Sequence, residues 1–109
     1  MNIQEIVNNQ RSFFNTHQTK DLNDRENTLL KIRQWIQNNE SIICEALKKD
    51  LNKSETEAYM CEIGMTLSEL NDQIKHFRKW AKPHKVKTPL AQFYGTSFEL
   101  NEPYGVVLV

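Results

Sequence analysis

At 109 residues the chain has the size of one domain and can enclose a single hydrophobic core without disulfides or metals. Hydrophobic residues make up 39% and charged residues 26%, too apolar for a disordered tail, and 14 Lys and Arg balance 14 Asp and Glu, which removes any global electrostatic case for nucleic acid or an acidic membrane. The start, Met1 to Glu5, lacks a basic segment leading into an apolar run, and no stretch approaches the roughly 18 apolar residues of a membrane span, so a cytoplasmic chain without membrane contact is expected.

Pro83, Pro89, Pro103, Gly95 and Gly105 all follow residue 82, and only Gly64 precedes it, which predicts a helical block followed by extended chain. Ile3, Ile6, Val7, Phe13 and Phe14 mark a first helix that fades at Asn15-Thr16-His17. A second starts with Asp21 as N-cap, buries Leu22, Leu29, Ile32 and Ile36, and frays at Asn38-Asn39. Ile42, Ile43, Ala46, Leu47 and Leu51 outline a short third helix.

The fourth helix has the strongest signal. Ser54-Glu55-Thr56-Glu57 has the spacing of a capping box, in which the Ser side chain and the Glu three residues on satisfy each other's backbone N–H groups. Pro83 marks its end. Between them Met60, Ile63, Leu67, Leu70, Ile74, Phe77 and Ala81 recur at steps of three and four, one apolar stripe along a rod of about 40 Å. Three other amphipathic segments can cover that stripe, so packing within the chain is expected rather than a coiled coil with a second chain.

After Pro89, Phe98 to Glu102 alternates like a half-exposed strand, and Gly105 to Val109 runs apolar like a strand buried on both faces. The predicted fold class is mainly α, about four helices followed by two short strands. Natural termini are usually polar, so an ending in Val106, Val107, Leu108 and Val109 reads as a strand cut part-way and the chain as a fragment.

Chemistry is sparse. Lys75, Arg78, Lys79, Lys82, Lys85 and Lys87, interleaved with His76, Phe77, Trp80 and His84, superficially resemble a nucleic-acid surface. The acids Glu55, Glu57 and Glu62 open the fourth helix and the bases close it, however, which complements the helix macrodipole, and no nucleic-acid partner is expected. Cys44 and Cys61 form no Cys-x-x-Cys pair and are expected as buried free thiols. His17, His76 and His84 have no certified catalytic partner, and three glycines give no phosphate-binding loop. No catalytic, cofactor-binding or metal-ligating residue is assigned.

Arg11-Ser12-Phe13-Phe14, Ala46 to Glu55, Glu57-Ala58-Tyr59, Lys79-Trp80-Ala81, Val86-Lys87-Thr88-Pro89 and Glu102 to Val109 follow one another in the order and spacing of the opening of class 3, fatty-aldehyde-type aldehyde dehydrogenases. The chain resembles the N-terminal part of that family over nearly its whole length. The resemblance implies that residues 1–82 form an N-terminal helical layer, 83–104 a linker and strand toward a bridging region, and 105–109 the start of the first strand of a cofactor domain.

It further implies an α/β parent enzyme, a homo-oligomer with a Rossmann-like cofactor domain. That enzyme would oxidise aldehydes to carboxylic acids through attack of a cysteine thiolate, hydride transfer to NAD or NADP, and thioester hydrolysis aided by a glutamate. Those residues would lie beyond Val109, and Cys44 and Cys61 match no part of the family's nucleophile motif, so the fragment is expected to bind no cofactor and to be inactive. A stand-alone helical protein-interaction module is the alternative, and it leaves the Glu-Pro-Tyr-Gly-Val-Val-Leu-Val ending unexplained.

Overall fold

The computed structural model describes residues 2–109. Helix α1 spans Ile3–Asn15, with the Asn2 side-chain carbonyl accepting from the Gln4 N–H at 3.1 Å. It stops where the Thr16 hydroxyl turns back to donate to the Phe13 carbonyl at 2.7 Å and His17 turns left-handed at φ 62°. A single 3₁₀ turn, Gln18–Lys20, leads to α2, Leu22–Asn38, and Asp21 stands before it in the extended conformation of a cap residue.

Asn39 alone separates α2 from α3, Glu40–Leu51. Its side-chain amide donates to the Trp35 carbonyl at 2.7 Å and its N–H to the Ile36 carbonyl at 3.2 Å, so one residue closes the first helix. Asn52 ends α3 in the left-handed conformation at φ 54°.

The fourth predicted helix is one continuous helical run with a defect. The Ser54 hydroxyl accepts from the Glu57 N–H at 3.3 Å and starts α4, Glu55–Ala58. Tyr59–Ile63 then widens into a π turn, and α5 continues over Gly64–Trp80. A π turn adds a residue to the helical period, so the apolar phase slips there. Ala58 and Ile63, five residues apart, are the buried pair at 0% and 2% exposure. Met60, expected in the stripe, is 67% exposed instead. Beyond the defect the stripe returns as expected: Leu67, Leu70, Ile74 and Ala81 are half-buried and Phe77 is buried.

Two short antiparallel strands follow, β1 at His84–Val86 and β2 at Ser97–Glu99, with His84 opposite Glu99, Lys85 opposite Phe98 and Val86 opposite Ser97. Expected strands and observed ones coincide only in part. The segment 98–102 pairs no further than Glu99, because the Asn101 side chain leaves the alternation to donate to the Trp80 carbonyl at 2.9 Å, capping α5. Gly105 to Val109 forms no ladder among the described residues, and without a hydrogen-bonded neighbour an apolar run is not a strand. His84 to Val86 had no strand-like alternation and was expected as linker; its pairing with β2 is what makes it a strand.

The chain groups into two compact units, one made of the segments up to Leu22 and from Phe77 to Val109, the other of Asn23–His76. The first buries Phe77, the second Ala58 and Ile63. Cover is thin elsewhere: Ile3, Ile6, Phe13, Ile32, Ile42 and Leu51 are exposed despite their place in apolar stripes, Ile32 against expectation. The chain exposes 9322 Å².

Candidate functional site

The singled-out side chains are scattered. Cys44, on α3, is half-buried and lines a shallow cleft with Glu40 and Ser41 of the same helix, Glu55 and Thr56 of α4, and Tyr59 and Met60 of the π turn. Cys61 lies in that turn and is exposed. Neither thiol is buried as expected: Cys44 borders the open cleft, and Cys61, in the widened turn, is exposed together with Met60.

Lys53, in the loop between α3 and α4, forms an ion pair with Glu62 of the π turn. The hydrogen bond to Glu62 holds the Lys53 ammonium above its ordinary pKa of 10.5; partial burial opposes this, and the nearby charges of Glu62, Cys61 and Glu57 add to it. The pair ties the loop to the defect.

The basic run shares no single element. Lys75, Arg78 and Lys79 lie on α5, Lys82 in the turn after it, Lys85 in β1 and Lys87 beyond. The Arg78 guanidinium stands 5.4 Å from the centre of the Phe77 ring, and His76 Nδ1 lies 2.9 Å from the Asp72 carboxylate one helical turn back. His17 ends α1 and His84 begins β1.

A cluster that the sequence did not reveal holds the segment 101–105 in the first unit. Asn101 caps α5 at Trp80, Lys20 Nζ pairs with Glu102 Oε2 at 2.7 Å, and Gly105, at φ 99°, lies under the Phe14 ring, whose nearest atom is 3.7 Å from where a Cβ would stand. Only Gly105 carried a local signal, since a positive φ favours glycine. The partners of Asn101 and Glu102 lie 21 and 82 residues away and no periodicity announces them.

No family model matches the chain. It is 42% identical over 107 residues to a Staphylococcus aureus protein named 4,4'-diaponeurosporen-aldehyde dehydrogenase, covering 98% of this chain and 23% of the relative. It is 39% identical to the chloroplastic aldehyde dehydrogenase family 3 member I1 of Arabidopsis thaliana, covering 95% of this chain and 19% of that one. A solved Staphylococcus aureus aldehyde dehydrogenase, AldH in a substrate-bound state, superimposes with a TM-score of 0.88 at 43% identity over 95% of this chain and 23% of its own. The chain thus spans about a fifth of the length of the relatives it matches. Matching them in sequence and in backbone along almost all of its own length, the chain belongs to aldehyde dehydrogenase family 3 over the stretch that it spans.

Proposed function

We propose that this chain is the N-terminal portion of an enzyme that oxidises aldehydes to carboxylic acids with NAD or NADP as hydride acceptor. The observation that carries the reading is likeness in both sequence and backbone to a substrate-bound dehydrogenase, at 43% identity and a TM-score of 0.88. On this reading residues 1–82 form the helical layer, 83–104 the passage toward a bridging region and 105–109 the entry to the cofactor domain. The enzyme acts in the cytoplasm as a homo-oligomer.

Dinucleotides are held by closely spaced glycines at a strand-to-helix turn, whose N–H groups face the diphosphate. Gly64 lies inside a helix with its N–H given to Tyr59, Gly95 donates to Gln92 at 2.8 Å, and Gly105 faces the Phe14 ring. These three do not fit a dinucleotide, and its seat is assigned to the protein outside this stretch. The nucleophile and base are assigned there too, which leaves the isolated chain inactive.

The coding DNA beyond the Val109 codon tests the reading. The expected frame continues the apolar run into a turn with Trp-Asn followed by an aromatic residue and Pro. A stop codon with no such motif in any downstream frame would contradict it.

A further inference from the structure

Ala58 and Ile63 are both buried, and the π turn is what places them together. At 3.6 residues per turn, positions five apart point about 140° away from each other, whereas one extra residue in the turn brings them toward one face. In a regular helix the same-face neighbours of Ile63 would be Tyr59 and Met60, three and four residues back, and these are 67% exposed for Met60 and 46% for Tyr59. The sequence thus supplies an apolar face for either register. Burial by itself favours the regular one, since Tyr59 and Met60 remove more apolar surface from water than Ala58 does. Another interaction selects the π turn.

Lys53 supplies it. Its ammonium, carried by the loop ahead of the Ser54 cap, donates to the Glu62 carboxylate inside the π turn, and the Lys53 side chain is only 20% exposed. In a regular helix started from the same cap, Glu62 would be carried round the axis by most of the roughly 100° that one residue contributes, away from Lys53. The pair therefore exists in one register and not in the other, which biases the equilibrium between them. We propose that the Lys53–Glu62 pair is a latch for the π register, and that releasing it returns Tyr59–Ile63 to an ordinary helical turn with Tyr59 and Met60 on the apolar face. Because Tyr59 and Met60 line the cleft beside Cys44, release also reshapes that cleft.

The acceptor of the Gly64 N–H reports the register directly, and scalar coupling through the hydrogen bond identifies it by nuclear magnetic resonance. In the parent chain it should be the Tyr59 carbonyl. In Glu62→Gln and in Lys53→Met it should become the Met60 carbonyl, and exchanging the charges, Lys53→Glu with Glu62→Lys, should return it to Tyr59. Oxidation of Met60 by hydrogen peroxide gives a second readout, with Met65, 65% exposed beyond the defect, as internal reference. Relative to Met65, Met60 should react about threefold more slowly in the single variants, as it would if two thirds of the molecules were released.

A Tyr59 acceptor and an unchanged Met60 rate in both single variants would overturn the latch and leave the close packing of Ala58 as what selects the turn. A switch in the single variants that the exchanged pair fails to reverse would overturn it as well, as would a Met60 acceptor in the parent chain. Should Glu62→Gln fail to fold, Lys53→Met decides, because its unbranched side chain keeps the apolar part of the lysine in the loop.

Discussion

The Gly64 N–H donates to the Tyr59 carbonyl five residues back, and the same oxygen stands 3.0 Å from where a Cβ on Gly64 would be. A backbone oxygen held by that hydrogen bond cannot swing aside as a flexible side chain would. In an ordinary helix, replacing Gly by Ala gains about 0.5–1 kcal/mol. Here the crowding should outweigh that gain, so Gly64→Ala is expected to destabilise the chain by about 1–2 kcal/mol. Urea unfolding checks it, and a raised midpoint would mean that the π turn relaxes without cost.

The same defect decides which neighbours matter. Ile63 is buried and Met60 is exposed, although both fit a helical stripe of constant period. Ile63→Ala should cost about 2–4 kcal/mol and Met60→Ala no more than about 0.5 kcal/mol, compared by urea unfolding. Equal costs would restore the regular helix.

Much of the helical block was legible because local chemistry determined it. Ser54 caps where the Ser-x-x-Glu spacing placed it, Asn39 breaks where polar residues interrupt the stripe, and α5 carries its apolar face from Leu67 to Phe77 at ordinary spacing. The π turn was not legible. Met60 and Ile63 satisfy the same period as Ile63 and Leu67, and only the Gly64–Tyr59 bond shows that one residue has been inserted. Strands posed the opposite difficulty, since His84 to Val86 owes its conformation to a partner eleven or more residues away, and Val106 to Val109 is apolar without a ladder. Of the candidate site, the placement of Cys44 and Cys61 on helical turns was readable, but their exposure depends on the defect and on thin packing.

The Lys53–Glu62 pair should give a stability that depends on alkaline pH. A lysine whose folded pKa is raised stabilises the fold fully below its unfolded value of 10.5, and that contribution is lost as pH rises through the higher folded value. Glu62→Gln is therefore expected to lower the urea midpoint at neutral pH, with the difference from the parent chain shrinking once pH passes 10.5. A difference that stays constant across that window would assign the effect of Glu62 to something other than the ion pair.

Asn101 provides a test of how the segment 101–105 is held. Removing its amide leaves the Trp80 carbonyl at the end of α5 without that donor, and Asn101→Ala should cost about 0.5–1.5 kcal/mol. Amide exchange in the last turn of α5 should quicken more than exchange in α2 or α3. Unchanged exchange around Trp80 would show that the cap does not anchor the segment.

Membership of the chain in a working dehydrogenase is tested most directly by the chimera in which these 109 residues replace the matched stretch of the Staphylococcus aureus enzyme. Aldehyde-dependent reduction of NAD or NADP is the quantity to measure, with the isolated chain beside it. Turnover by the chimera and none by the isolated chain is the expected result. A chimera that folds, binds the dinucleotide and oxidises no aldehyde would contradict it, as would turnover by the isolated chain that Cys44→Ala or Cys61→Ala abolishes.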